Sequence, residues 1–440
     1  MEQYTIKASN AEELVRSVEA GVARGALRPG EQLPPVRRLA AQVGLSPATV
    51  AAGIAELRRR GVVLSEQRRA TRITPAPPIS SAPALVPVPA GARDLSRGNP
   101  DPALLPDVRG ALARCGARAH LYGEPPVSAE LCALAAQKLR ADGIPAEALC
   151  VVSGALDGIE RVIQAHLRSG DVVAVENPGY AALYDLLRAH GLSLRAVSVD
   201  DRGMRTEELE AALAHGARAV IITPRGQNPT GAALDAERAR ELRELLARWA
   251  HVLVIEDDHL GALAPGRLHT SVPGAGRWAA TRSVAKALGP DLRLAVLTGD
   301  ELTVARVQGR QQCGPGWVSH VLQELVLALW TDPEVIALVE RAGATYRRRR
   351  ERFIAALAAR GIDASGRSGL NVWIPVADET STIGALLARG WVVAAGAAYR
   401  LPGSSPAVRV TIATLEGEEA KRLADDLHAV LRSGASSRSG

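Results

Sequence analysis

The run Thr281-Arg-Ser-Val-Ala-Lys286-Ala-Leu-Gly-Pro-Asp-Leu-Arg293-Leu-Ala-Val296 decides how the rest of the chain is read. Its pattern predicts a strand over 278–284, a break at Gly289-Pro290, and a second strand over 292–297. The Lys286 amine, at the end of the first strand, can condense with an aldehyde, and Ser283 and Arg293 can hold a phosphate. Those are the requirements of pyridoxal phosphate. Lysine is also scarce: Lys7, Lys138, Lys286 and Lys421 stand against 49 arginines. Lys138 and Lys421 lie in charged helical patterns and read as solvated, and Lys7 lies near the N-terminus. Taken alone, Lys286 is equally a surface lysine beside a Gly-Pro turn.

Working outward, 440 residues are too many for one compact domain, and 47% hydrophobic with 23% charged residues is a globular composition. No apolar run reaches the length of a membrane span and the first residues lack a signal-peptide core, so a cytoplasmic location is expected. Cys115, Cys132, Cys150 and Cys313 lack metal-ligand spacing and are expected to be buried, reduced thiols. Charge is uneven. Residues 1–75 carry 12 Lys/Arg and 7 Glu, whereas the remaining 365 residues carry 41 basic and 40 acidic side chains. A small basic domain that meets a polyanion is implied.

In that N-terminal part, Asn10 caps a helix predicted to run to about residue 24. A second helix is predicted over 35–43 and stops at Gly44, and a third starts at Ser46-Pro47 and ends before Gly61. Two helices joined by Gly44-Leu-Ser46 make a helix-turn-helix, in which Ser46, Pro47, Ala48 and Thr49 would face base edges. Two short strands around Gln67-Arg68-Arg69 make a basic-tipped hairpin. The bland alternative for Arg58-Arg-Arg60 is a solvated helix end that suits the dipole, but the order of caps, turns and charge favours DNA binding. The proline-rich stretch 76–93 reads as an extended spacer. From residue 94 to about 330, apolar strands alternate with amphipathic helices, which implies an α/β sheet of mostly parallel strands with ligands at their carboxyl ends. A small α+β lobe is expected over 331–435. Arg347 to Arg350 read as the solvated face of a long helix.

The segment Leu-Pro-Pro-Val-Arg37-Arg38-Leu-Ala, followed by Gly-Leu-Ser-Pro-Ala-Thr49-Val, resembles the winged helix-turn-helix of GntR-type regulators over residues 1–75. The resemblance implies DNA contacts by Arg37, Arg38, Ser46, Pro47 and Thr49, with Arg68 and Arg69 on the wing. Proline follows Ser46 where that family often has arginine, and the wing lacks its usual glycines.

Residues 94–435 resemble fold-type-I aminotransferases in chain order: Val152-Ser153-Gly154-Ala155, Glu176-Asn-Pro-Gly-Tyr180, Asn228-Pro-Thr-Gly, Glu256-Asp257-Asp258-His259, the Lys286 run, and Arg409. The resemblance implies a Schiff base between Lys286 and pyridoxal phosphate. It places Ser153, Gly154, Ala155, Ser283 and Arg293 around the phosphate, Tyr180 on the ring face, Asn228 at the ring hydroxyl and Asp257, rather than Asp258, at the ring nitrogen. Arg409 would clamp a ligand carboxylate, and Tyr122 would reach the partner subunit's phosphate. Ala155 and Leu156 stand where threonine or glutamine is frequent. His259 replaces a tyrosine and brings a side chain that ordinarily titrates near neutral pH. Asn371, Tyr399 and Trp317 are candidates for the pocket lining.

A GntR-like domain joined by a proline-rich linker to an aminotransferase-like domain resembles the MocR subfamily of bacterial transcriptional regulators. That resemblance implies a domain-swapped homodimer that binds promoter DNA and senses an amino acid, an amine or the cofactor itself, with weak or no transaminase activity. The competing expectation is an active aminotransferase carrying an accessory DNA-binding domain.

Overall fold

The computed structural model describes residues 4–59, 62–65, 71–74, 88–116, 119–264, 266–272 and 276–436. Arg68, Arg69 and most of the proline-rich spacer lie outside the described residues. Two compact units are present, one containing the N-terminal elements together with residues 167–172 and 184–194, the other containing the rest of the chain.

The N-terminal unit has helices Ala11–Ala23, Val36–Val43 and Pro47–Arg59, then an antiparallel strand pair, Val63–Ser65 with Thr71–Ile73. Local chemistry sets these boundaries. The Asn10 side chain accepts from the Glu13 amide at 2.9 Å, while Glu13 accepts from the Ser9 amide and hydroxyl. This reciprocal arrangement satisfies donors that a helix start leaves open. Gly44 ends the second helix at φ 72°, in the left-handed region that favours glycine. Ser46 Oγ then accepts from the Thr49 amide at 3.1 Å and starts the third. Leu14, Val18, Leu33, Leu39, Val50, Leu57, Val63 and Ile73 are buried together. Burying each such side chain contributes roughly 1.5–3 kcal/mol, enough to hold a unit of this size.

The second unit is built on an eight-stranded sheet. Its spatial order is Ala148–Val152, Ala295–Gly299, Arg277–Ser283, Leu253–Asp258, Ala217–Ile222, Val172–Asn177, Ser193–Asp200 and Gly203–Met204. Ala217–Ile222 and Arg277–Ser283 run parallel to Leu253–Asp258, whereas Ala295–Gly299 is antiparallel to both of its neighbours. The parallel strands read as continuous apolar runs because both faces are covered, and Leu253–Asp258 is buried at every position. C-terminal to it, Asn371–Pro375, Ala407–Thr411 and Ala394–Ala395 form a smaller sheet beside the long helix Pro333–Ala358 and the last helix Gly417–Ser436.

Three sequence expectations need correction here. The arginine run on the long helix is not wholly solvated: Arg350 is 6% exposed and donates to the Gly369 and Arg367 carbonyls. Arg349 bonds Asp101 at 2.9 Å and also Glu416. Loop carbonyls and distant carboxylates captured these guanidiniums, which sequence periodicity does not register. Of the cysteines, all free, only Cys150 is fully buried, with its thiol pushed up to about 12 by burial, and Cys313 is exposed. Finally, the residues after Ser283 do not simply turn. Ser283 Oγ accepts from the Ala285 amide at 3.2 Å, and one helical turn, Ala285–Leu288, carries Lys286. Among the described residues no helix is long and apolar enough to cross a membrane.

Candidate functional site

Strand register gathers the chemistry at one rim of the sheet. Ala295 pairs with both Val152 and Ser283, and Arg282 pairs with Asp258. Strands ending at Val152, Ser283 and Asp258 leave the sheet at this rim, and the antiparallel strand enters there just after Arg293. Gly154 precedes the helix Ala155–His166 with φ +106°, and a β-carbon on it would lie 2.7 Å from Arg293 Nη2. The guanidinium therefore rests directly against the helix start, where amides of the first turn have no intrahelical acceptor. Ser153 is exposed, and its amide donates to Asp157 at 2.8 Å.

Lys286 is largely buried, and its Nζ donates to the Gly98 carbonyl at 2.6 Å. Burial, helped by the nearby Arg409 charge, lowers its amine to about 8, so a substantial neutral fraction exists near neutrality. Two carboxyls adjacent on one strand have opposite characters. Asp258 is 2% exposed and receives Arg225 Nε and Nη2 at 2.8 and 2.7 Å, Arg282 Nε at 2.8 Å and the Gly261 amide at 3.1 Å. Burial opposes its charge, but the two arginines hold it well below the usual carboxylate range. Asp257, 8% exposed, has a single side-chain donor among the described residues, the Thr281 hydroxyl at 3.2 Å. Burial, reinforced by the Asp258 charge, pushes it up to about 7. The sequence preference for Asp257 over Asp258 at a cationic ring nitrogen thus has an electrostatic basis: among the described residues Asp258 already has its cations and Asp257 has none.

His259 departs from its sequence-based expectation. Burial, then the Lys286 charge, lowers its imidazole to about 4, so it is neutral through the physiological range instead of titrating there. Arg409 is 3% exposed, with Nη1 donating to Asn228 Oδ1 at 3.0 Å, Nη2 donating to the Ser96 carbonyl, and its guanidinium 4.7 Å from the Tyr399 ring. Its Nε has no partner among the described residues, and the acidic groups it senses there are Tyr180 and Tyr399, not carboxylates. A buried cation without an anion suits a carboxylate ligand. Asn228 Oδ1 also accepts from Asn371 at 3.4 Å. Tyr180 is 39% exposed, and its hydroxyl senses Asp257, Tyr399, Arg293 and Arg409, which locates it over the same cleft.

The structure therefore assembles Ser153, Gly154, Ala155, Tyr180, Asn228, Asp257, His259, Ser283, Lys286, Arg293 and Arg409. It does not bring Tyr122 there: that ring is 93% exposed and lies edge-on to Trp317, 5.6 Å away. Of the candidates for the pocket lining, Tyr399 lies against Arg409 and Asn371 against Asn228, while Trp317 meets the Tyr122 ring. Sequence reading missed Glu176 and Gln227. Glu176 accepts from the Thr223 amide and hydroxyl at 3.0 and 2.8 Å and from Gln227 at 3.2 Å, and so fixes the loop that presents Asn228. It also missed Trp373, edge-on to Tyr399 at 6.3 Å, and the Arg225 and Arg282 pair. In the N-terminal unit Arg37, Arg38, Ser46 and Pro47 are exposed and Thr49 is half-buried.

The residues fit pyridoxal phosphate: a neutralisable amine, an uncompensated buried carboxyl, and an arginine lying on a glycine at a helix start. The fold and site define an aminotransferase-type cofactor domain. The family model for aminotransferase class I and II matches residues 92–427, and that for bacterial regulatory proteins of the gntR family matches residues 10–73. The chain belongs to the MocR subfamily of GntR-type transcriptional regulators, in which a gntR domain is fused to an aminotransferase class I and II domain. It is 41% identical, over 97% of its length and 99% of the relative's, to the vitamin B6 salvage pathway transcriptional repressor PtsJ of Salmonella typhimurium. It is 30% identical to the pyridoxine biosynthesis transcriptional regulator PdxR of Corynebacterium glutamicum, over 56% of this chain and 55% of that one. Among solved structures, the α-aminoadipate aminotransferase LysN of Thermus thermophilus is similar with a TM-score of 0.69 at 22% identity, covering 79% of this chain and 93% of that chain.

Proposed function

We propose that this chain is a pyridoxal-phosphate-dependent transcriptional regulator acting in the cytoplasm. Its winged helix-turn-helix (residues 1–75) binds promoter DNA, a linker (76–93) follows, and its aminotransferase-like domain (94–435) senses an amino acid, an amine or the cofactor. The observation that carries the cofactor half is the contrast on one strand between a clamped Asp258 and an uncompensated Asp257, beside a buried, weakly basic Lys286.

When bound, the cofactor supplies an aldehyde and an electron-withdrawing ring. Lys286 holds it covalently through Nζ. Asp257 holds a proton on the ring nitrogen, and that added positive charge offsets the cost of burying the carboxylate. Arg293, Ser283 and the helix start at Gly154-Ala155, with the Ser153 hydroxyl, orient the phosphate. Tyr180 covers the ring face, and Asn228 and neutral His259 donate or accept at its hydroxyl. Arg409 selects ligands with a carboxylate. A ligand that displaces Lys286 changes the contacts between the two lobes around it, and such a ligand moves DNA affinity only by its differential affinity for the two states. Tyr122, exposed in one chain, is assigned to the partner subunit's phosphate in a domain-swapped homodimer.

The test combines two measurements. The purified protein with pyridoxal phosphate should show the absorbance of lysine-bound cofactor, absent in Lys286→Ala, and should bind its own promoter region with steep salt dependence. A second reading, an active aminotransferase, is favoured by the joint presence of Lys286, Asp257 and Arg409. Sustained turnover of an amino-acid and keto-acid pair without promoter binding would replace the first reading by the second.

A further inference from the structure

Among the described residues the two most exposed large apolar side chains are neighbours, Leu121 at 68% and Tyr122 at 93%. They sit on an irregular segment with no helix or strand of its own between 119 and 128. Such a segment would ordinarily be loose. This one is tied down repeatedly, chiefly to the start of helix His320–Thr331. The His120 ring stacks flat on the His320 ring, with centroids 3.7 Å apart and planes 5° from parallel. His120 also lies 3.1 Å from Glu124 and 3.4 Å from Glu324, and His320 bonds the Pro125 backbone. Gln323 is fully buried and uses its whole amide: Oε1 accepts from the Ser128 amide at 2.8 Å, and Nε2 donates to the Pro126 carbonyl at 3.0 Å and the Val318 carbonyl at 2.8 Å. Trp317 meets the Tyr122 ring edge-on.

Buried polar groups and a ring stack are thus concentrated beneath two side chains that this chain leaves in water. We propose that His320 and Gln323 are positioning residues for Tyr122: they hold the 119–128 arm so that the Tyr122 hydroxyl reaches the cofactor phosphate on Ser283 and Arg293 of a second copy of the chain. The inference rests on the reading of Tyr122 given under Proposed function. An arm ordered in advance docks without the entropy loss of fixing a loose segment, so the anchors raise cofactor affinity in a site they do not touch. Acting across subunits, they couple the fold of one copy to the cofactor occupancy of the other.

Hybrid dimers test this. Two differently tagged copies are co-expressed, one carrying Lys286→Ala, so that lysine-bound absorbance reports only the site of the intact copy. Titration with pyridoxal phosphate then gives the affinity of that site. Tyr122→Phe in the Lys286→Ala copy is expected to weaken it about tenfold, the loss of one phosphate hydrogen bond. His320→Ala or Gln323→Ala in the same copy is expected to match that loss. His320→Phe, which keeps a flat ring for the stack, should restore most of it. The same alanine substitutions placed in the intact copy should leave the affinity unchanged, because that copy's arm serves the site without a lysine. If Tyr122→Phe acts across the dimer and the alanine variants do not, the positioning role is wrong and the dimer reading stands. If Tyr122→Phe in the Lys286→Ala copy has no effect, the dimer reading itself fails.

Discussion

Arg293 lies against the backbone of Gly154, so close that a methyl group at that position would come within 2.7 Å of Nη2. The two residues are 139 positions apart in sequence, yet they form one surface, an arginine flattened over a helix start. Gly154→Ala should therefore displace the guanidinium and strain a backbone with φ +106°. The expected result is a loss of pyridoxal-phosphate affinity of about tenfold or more with the fold retained, read by absorbance titration beside circular dichroism. Unchanged affinity would remove Arg293 from the phosphate site.

Asp257 makes a prediction about the cofactor-free protein. Its carboxyl is raised from 3.8 to about 7, so across that window the folded protein keeps a proton that the unfolded chain releases. Stability conferred by this group is present below about pH 4 and is lost as the pH rises through about 7. Asp257→Asn keeps the shape without the charge. Without cofactor it should be more stable than the parent at pH 8, on the order of 1 kcal/mol or a few degrees in Tm. With cofactor the order should reverse, since the amide cannot pair with a pyridinium. A variant less stable at pH 8 in both states would contradict this account.

With Lys286 as the proposed attachment point, capture of the cofactor would depend on the neutral form of its amine. With the amine lowered to about 8, the capture rate should rise about tenfold per pH unit below that value and level off above it. Stopped-flow absorbance across pH 6 to 10 reads the profile. A rate still climbing tenfold per unit at pH 9.5 would mean an ordinary exposed lysine.

For the N-terminal unit, Arg37 is exposed on the helix preceding the turn at Gly44. As a phosphate contact, Arg37→Ala should weaken binding uniformly across promoter variants and reduce the salt slope by about one. Thr49, half-buried and bonded through its hydroxyl to Ser46 at 2.8 Å, should instead alter sequence preference when replaced. Fluorescence anisotropy at several salt concentrations separates the two behaviours.

Much of this was legible in the sequence because strand ends are punctuated. Ser153-Gly154, Asp257-Asp258 and the Lys286 run each follow an apolar stretch, and parallel strands bring such ends to one rim. What could not be read is pairing at a distance. Arg225 and Arg282 reach Asp258 across 33 and 24 residues, and nothing in their local pattern marks them as its counter-ions. The same holds for Arg350, which sits in a run of charges yet is buried beneath loop carbonyls. His259 was expected to titrate near neutrality because a sequence carries no measure of burial. The one-turn helix at Ala285–Leu288 was missed for a smaller reason: a serine cap on four residues is too short to show periodicity.

The antiparallel strand Ala295–Gly299 sits between two others whose chains run the opposite way. It delivers Arg293 to the rim at which its neighbours deposit Ser153 and Ser283. A molecule gripping all three side chains therefore spans three strands at once and acts as a clasp on that margin of the sheet. Local opening of the margin must first release the clasp, so hydrogen exchange in 148–152 and 295–299 should slow when the cofactor is loaded. Loading the cofactor would then toughen the sheet on one side only, far along the chain from the gntR domain.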